Sequence, residues 1–440
     1  MSFGRGSMGG ILKFLAPVLP YGVTESWADL SPRLYLAVHI YWLKFYGMWY
    51  NDFSPKNILF YIQLTYALIV LWLVCFLPGI GEVVYLLKRR ENIGDVAAGL
   101  YLFLSEMYTY FKIAVFWLNK EKIMKLLKYM YCEEFAPKEP EHREIVRKSI
   151  NRARFVMTAY STMCVGAVSV GIVMPLTENF EVLPTNVEYP FFDVYKSPVA
   201  TLIFKRDGKH IIRPPADTEH NSGTLNTPTR LLLKLLKMHC FIFSVGQIEI
   251  LAFNLRNFDT VAERRRKGPI TQNKCDGNAP PDHVRAVLRD CIIHHNSIIR
   301  YVSMIEGAFS LASALQFMLS VMVLCLVGIQ FLSIEEPSSH PMQIVWMAIY
   351  LTCMLCEVFI LCWFGDELIT ESIKLNKAAF DGPWLELSKR NSSILVLFLE
   401  RCQRPLCVTA GKIFILSLQT YTVLINWAYK AFAVMRNMKK

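Results

Sequence analysis

Phe155-Val-Met-Thr-Ala-Tyr-Ser-Thr-Met-Cys-Val-Gly-Ala-Val-Ser-Val-Gly-Ile-Val-Met174 runs for twenty residues without an Asp, Glu, Lys or Arg. A helix rises about 1.5 Å per residue, so this stretch is long enough to cross the ~30 Å hydrocarbon core of a bilayer. Similar blocks lie on both sides of it. Ile58–Leu77 has Gln63 as its only strongly polar side chain, and Ala97–Leu118 carries Glu106 and Lys112. Ala308–Leu332, Ile344–Phe364 and Leu406–Met435 follow. Leu231–Phe253 is apolar too, although Lys234, Lys237, His239 and Glu249 punctuate it. Taken together these blocks predict an all-α polytopic membrane protein with seven transmembrane helices. Tyr35–Tyr50, rich in Trp and Tyr but interrupted by His39 and Lys44, is expected to be an interfacial helix.

Composition agrees. Of the 440 residues, 53% are hydrophobic, 13% aromatic and 19% charged, where soluble proteins carry about 25% charged residues. The net charge of +11 resides in short basic runs between apolar blocks, not interleaved with aromatics, so no nucleic-acid partner is expected. The twelve cysteines form no spaced framework. Cys353-Met-Leu-Cys356 is a lone pair inside an apolar block, and no metal or other cofactor is expected. Ile11–Pro20 is short and interrupted, so the first span is expected to act as its own targeting signal.

Loop charge orients the chain. Lys120–Arg154 carries ten basic residues, Arg256–Arg300 nine and Lys374–Arg404 six, whereas no Lys or Arg lies between Ser333 and Met342. Basic loops stay in the cytoplasm. Seven spans then put the N-terminus in the cytoplasm and the C-terminus outside, opposite to a G-protein-coupled receptor. The run Arg264-Arg265-Arg266-Lys267 reads as part of this topogenic charge, and the sequon Asn391-Ser-Ser393 falls on the cytoplasmic side. The chain divides into a cytoplasmic N-terminus with its interfacial helix (1–57), a helical bundle of spans one to six (58–364), cytoplasmic anchor helices (365–405) and a last span (406–440). The break at Gln403-Arg-Pro-Leu406 is expected to end a cytoplasmic helix over about Trp384–Arg404.

No GxSxG, P-loop, HExxH or GxGxxG placed after a strand occurs, and no enzyme is expected. His294-His295 reads as the solvated face of a helix stem. Charge inside hydrocarbon is costly. Glu106 and Lys112, six residues apart and not facing each other, should therefore each find a partner on a neighbouring helix or reach the cytoplasmic interface. For Glu357, snorkelling, interhelical bonding and a role in permeation stay open. Ser417, Gln419, Thr420, Thr422, Asn426 and Lys430 make the last span the most polar. Such a helix either packs against polar partners or lines water, and spacing leaves both open. Lys205–Arg230, with Arg213-Pro-Pro-Ala-Asp-Thr-Glu-His-Asn-Ser-Gly, has a disorder-like composition. It reads as a long external loop or an altered outer half of span four, with low order expected over Lys205–Asn226.

Two C-terminal stretches resemble the insect odorant receptor family: Arg401-Cys-Gln-Arg-Pro-Leu-Cys-Val-Thr-Ala-Gly-Lys412 and Gly365-Asp-Glu-Leu-Ile-Thr-Glu-Ser-Ile-Lys-Leu-Asn-Lys-Ala-Ala-Phe-Asp-Gly-Pro-Trp384. Weaker similarity runs through Lys44-Phe-Tyr-Gly-Met-Trp49, Ser105-Glu106 with Lys112, Tyr189-Pro-Phe191 and Gly246-Gln-Ile-Glu-Ile-Leu251. The resemblance implies a ligand-gated, non-selective cation channel in the plasma membrane of olfactory sensory neurons. It also implies a heterotetramer with the olfactory co-receptor, a pocket for a small volatile odorant in the outer halves of spans two to six, and a pore lined by span seven. Ligand contacts are then expected from Tyr101, Phe103, Leu104 and Tyr108, from Gly166, Ser169 and Ile172, and from Met347 and Tyr350. Val434 and Asn437 are the expected pore-lining positions. The co-receptor's long insertion between spans four and five is absent, which favours a tuning subunit. A gustatory-type receptor is the nearest alternative, but Trp427-Ala428 departs from the Gln-Phe pair its signature wants after Thr420-Tyr421.

Overall fold

A computed structural model describes residues 77–88, 93–177, 223–267, 282–333 and 341–439, with single positions between 61 and 90. The interfacial helix at Tyr35–Tyr50, almost all of the first span, Tyr189–Phe191 and the insert as far as residue 222 lie outside the described residues, as does the side chain of Ile172.

The described chain is helical apart from two 3-10 turns and one small hairpin. Its elements are α1 (Leu77–Lys88), α2 (Ile93–Leu118), α3 (Lys120–Tyr129), α4 (Pro140–Thr177), α5 (Gly223–Arg256), α6 (Phe258–Lys267), α7 (His283–Ser333), α8 (Pro341–Phe380), α9 (Lys389–Cys402), β1 (Thr409–Ala410), β2 (Phe414–Ile415) and α10 (Leu418–Lys439). By length and composition alone, Leu236–Arg256, His283–Leu332 and Ile344–Phe380 are apolar enough to cross a membrane. At 51 residues α7 is about 75 Å long, more than twice the hydrocarbon thickness, so the expected span is only one end of a longer rod. α4 and α8 extend similarly, at 38 and 40 residues.

α5 is the centre. Every residue from Leu236 to Ile248 is buried, Gly246 included. A helix without an exposed face has to be enclosed on all sides, and α4, α8, α7 and α2 pack around it. The span that looked weakest from its punctuating charges is therefore the most enclosed. It also begins at Gly223, inside the stretch where low order was expected.

The stems at one end of the bundle form their own core. Phe135 packs edge-on against Phe243 and Tyr301, at 5.4 and 5.9 Å between ring centroids, and against the His294 imidazole at 5.7 Å. His294 and His295 are buried, correcting the solvated-face reading. Gln247 on α5 supplies a polar partner for His294 at 2.9 Å, and Phe398 on α9 covers His295. The basic run is also more than topogenic. Arg264 pairs with Glu141 at 2.8 Å and Glu139 at 3.3 Å, and Arg265 with Asp290 at 2.7 Å.

The signature residues meet here. A Cβ on Gly365 would collide with the Leu416 carbonyl, so only glycine lets α8 approach the chain after the hairpin. Asp366 accepts the Leu418 amide at 3.2 Å and so caps the start of α10. Glu367 holds Arg152 of α4 in a two-pronged pair, one prong at 2.6 Å. Gly382 likewise has no room for a Cβ beside the Leu255 carbonyl. The break at Pro405 is as expected, with α9 ending at Cys402. The last helix, however, starts at Leu418 and not at Leu406. In between, Gly411 (φ +64°) and Lys412 (φ +60°) turn the chain through a type I′-like hairpin. That hairpin docks on α7 through the Gly411 amide and the Ser310 hydroxyl, 2.9 Å apart.

His142 at the start of α4 gives this end a pH dependence. Its Nδ1 accepts the Glu139 amide at 3.4 Å while its Nε2 donates to Asn254 Oδ1 at 2.8 Å, a pairing that suits the neutral ring. Burial pushes its pKa below the ordinary 6.5. Below that pH the unfolded chain takes up the proton first, so stability falls until the folded value is reached. The Arg264 guanidinium holds the Glu141 carboxyl down from 4.5 to about 2, and that contribution is complete above 4.5 and lost as pH falls toward 2. The unfolding temperature of the purified protein should therefore fall from pH 7 to 5, with His142→Gln flattening the slope. Equal slopes in both proteins would count against the assignment.

Candidate functional site

Tyr101 and Leu102 on α2, Val323 and Val327 on α7 and Met347 on α8 form a buried cluster separate from the main core. Leu104, Tyr350, Leu351 and Met354 pack against it, and the Tyr101 and Tyr350 rings lie 5.1 Å apart. Four of the expected ligand-contact residues, Tyr101, Leu104, Met347 and Tyr350, are thus brought together. Phe103 is half-buried outside the cluster. Gly166 and Ser169 are exposed on α4, with open space around Gly166.

Tyr108 lies two turns along α2 from Tyr101 and marks a change of chemistry. Its hydroxyl donates to Gln316 Oε1 at 3.0 Å, and Gln316 Nε2 donates to Glu357 Oε1 at 2.8 Å. Lys112 Nζ reaches the same carboxylate oxygen at 3.1 Å and sits 4.0 Å from the Tyr108 ring centroid. Both charges of this pair are over nine-tenths buried. Of the alternatives left open for Lys112 and Glu357, the interhelical pair is the one observed, while Glu106 accepts from the Tyr110 hydroxyl of its own helix at 3.1 Å. Removing one partner of such a buried pair costs about 3–5 kcal/mol, because the other charge stays behind unmatched. Gln316, which joins the network through α7, was missed. The available signal was an amide inside the otherwise apolar block Ala308–Leu332.

On the other side of Met347 an apolar cavity of about 380 Å³ opens between α7, α8 and α10. Val327 and Met347 line both the cluster and this cavity, with Ile425 and Phe432 of α10 opposite them. The cluster thus faces the last helix across this cavity. α10 itself is two-faced. Leu424 and Ala428 are buried against the bundle, while Gln419, Thr422, Asn426, Lys430 and Asn437 are exposed. At 100° per residue those five fall within an arc of about 80°, with Val434, 59% exposed, at its edge.

The described structure resembles insect olfactory receptor OR5 from Machilis hrabei, solved alone and in complex with eugenol. The eugenol complex superposes with a TM-score of 0.69 at 16% identity, covering 91% of this chain and 99% of that one. The unliganded form gives 0.68 at 17%. In sequence, residues 231–429 match the family described as 7tm Odorant receptor. Odorant receptor 2a of Drosophila melanogaster is 22% identical over 94% of this chain and all of its own length. Odorant receptor Or1 of Anopheles gambiae is 21% identical over 90% and 94%. Odorant receptor 67a of Drosophila melanogaster reaches 29%, over 44% of this chain and 47% of its own. The fold is that of the insect olfactory receptor structures. On the family model over residues 231–429, the near full-length relatives and the shared helical architecture together, this chain is similar to the insect odorant receptors.

Proposed function

We propose that this chain is the odorant-tuning subunit of a non-selective cation channel, assembled with olfactory co-receptor subunits as a heterotetramer in the plasma membrane of olfactory sensory neurons. The observation that carries the reading is the α10 face. Five polar side chains share one exposed stripe, whereas Glu106, Lys112, Lys237, Gln316 and Glu357 of the other spans are buried. A membrane helix keeps such an exposed stripe only against polar partners or water. Copies of that stripe around an axis make an aqueous path, with Val434 and Asn437 lining it near the C-terminal end. The ligand is a small volatile organic molecule held by the Tyr101–Met347–Tyr350 cluster. Tyr108 stands at its inner end. Phe103 lies outside the cluster and Gly166 and Ser169 are exposed on α4, so contact with them or with Ile172 needs a ligand that extends beyond the cluster. Ligand at Met347 lies across the apolar cavity from Ile425 and Phe432 of α10, and through that cavity biases the pore helix.

With co-receptor coexpressed, a panel of volatile ligands should evoke cation currents. Tyr350→Ala should raise the half-maximal concentration about tenfold or more, which is ~1.4 kcal/mol, without reducing surface expression. Unchanged potency would remove α8 from the pocket.

Pore lining is read in permeation. Val434→Lys and Asn437→Ala should each alter the calcium-to-sodium permeability ratio in part, because partner subunits contribute most of the ring. Lys430→Gln, removing the only charge on the stripe, should raise calcium permeability. If none of the three changes the ratio at normal expression, α10 is packing and the path lies elsewhere.

We further propose that the N-terminus is cytoplasmic and the C-terminus extracellular, on loop charge. The Asn391 sequon is a poor reporter of sidedness, because its amide is buried and donates to Asp282 at 2.8 Å. Glu188→Thr creates an acceptor at Asn186 between α4 and α5, and Cys275→Thr creates one at Asn273 between α6 and α7. Only the first should give a glycosidase-sensitive mobility shift. The reverse pattern would invert the topology.

A further inference from the structure

Beneath Tyr108, a cavity of about 50 Å³ is enclosed mainly by α2, α5 and α7. Its polar wall is built from Tyr108, Lys112, Lys237, Ser313 and Gln316, all buried, and its remaining walls are apolar. The two lysines are in different situations. Lys112 is matched by Glu357. Lys237, 7% exposed, is held by the Ser313 hydroxyl and lies 6.0 Å from the Phe241 ring centroid. No carboxylate pairs with it among the described residues. Ser313 in turn donates to the Phe309 carbonyl at 2.7 Å, so its oxygen is free to accept from the ammonium. A lysine has three N–H donors, and one hydroxyl satisfies one of them. The ion pair beside it is neutral overall, so a protonated Lys237 adds one net positive charge facing a small, mostly apolar void in the interior of the bundle. Such a charge is costly without a counter-ion.

We propose that this cavity is a binding site for a small monovalent inorganic anion, chloride under physiological conditions. The anion supplies the missing charge for Lys237, with Lys112 flanking it and the Gln316 and Tyr108 side chains close by. The volume admits a particle of roughly water size, and a halide is only slightly larger. Gluconate is far too large. Water would fill the space but would not neutralise the charge. Because the lining comes from α2 and α7 together with Lys237 of α5, the bound anion ties the enclosed central helix to two of the three helices that carry the Tyr101 cluster. This site is distinct from the one proposed for the odorant, which is apolar and lies at the other side of Tyr108.

The experiment uses the full-length chain in lipid nanodiscs at constant sodium and ionic strength. Replacing gluconate with chloride or bromide should raise the unfolding temperature by roughly 2–4 °C, saturating with concentration. Lys237→Met should lose that dependence. Lys237→Gln, which can keep a bond to Ser313 without the charge, should lose it as well and serves alone if the methionine variant does not fold. In a measurement needing no variant, wild-type protein should broaden the chloride-35 resonance, and bromide should reverse the broadening while gluconate does not. No halide-dependent shift in the wild type, an equal shift in the charge-removed variant, or no bromide-reversible broadening beyond empty nanodiscs would each overturn the proposal.

Discussion

The architecture depends on one requirement: α5 has no face it can show to water or lipid. From Leu236 to Ile248 it is buried all round, and yet the sequence sets Lys237, His239, Ser244 and Gln247 within that same stretch. Surrounding helices must therefore supply apolar packing and specific partners together. α7 does both, giving Ser313 to Lys237 and His294 to Gln247 along one rod. α4 and α8 close the remaining sides and are clamped to each other by Arg152 and Glu367. The chain can have polar groups at its centre only because their counterparts are fixed on long, straight neighbours that reach far beyond the membrane.

The C-terminal signature becomes intelligible on the same terms. Gly365, Asp366 and Glu367 are consecutive, but each answers a different demand: close approach of the chain after β2, the N-terminus of α10, and the α4 stem. Three neighbouring positions on one helix turn thus set where the last helix begins and what it leans on. A tight turn with two left-handed residues at Gly411 and Lys412 then brings the chain back beside α7. No step in that arrangement needs a ligand. It is a fixed base on which the outer part of the bundle stands.

The helical blocks were legible in the sequence because hydrophobic block length is a strong signal, and the cost of charge in hydrocarbon required Lys112 to find a partner or reach the interface without naming Glu357. The failures have physical causes too. Leu231–Phe253 looked weak because Lys237 and His239 were counted as polar interruptions, whereas both are buried, Lys237 against Ser313 of α7, and so belong to the core. His294 and His295 looked solvated because a polar stem outside the membrane was assumed to be wet. In fact α9 and the 3-10 turn at Phe135 cover them. The hairpin before α10 was hidden because Val408, Ala410 and Leu416 are apolar and blend into the following span. Of the expected ligand contacts, Tyr101 and Leu104 of α2 converge with Met347 and Tyr350 of α8, whereas Phe103 and Tyr108 of α2 lie outside that cluster. Gly166 and Ser169 do not join them, and periodicity on α4 could not say which of its faces is covered.

The length of α7 has a consequence for how such receptors diversify. Its 51 residues carry His294 in the stem core, Ser310 at the hairpin, Gln316 in the polar network and Val323 and Val327 in the outer cluster, without an interruption. A continuous rod lets one segment drift while another is held. Exchanging an aliphatic side chain near Val323 alters the shape of the cavity there, but leaves the stem core around His294 untouched about 43 Å away along the same axis. Natural variation can then explore new shapes at one end of the molecule without disturbing the packing at the other.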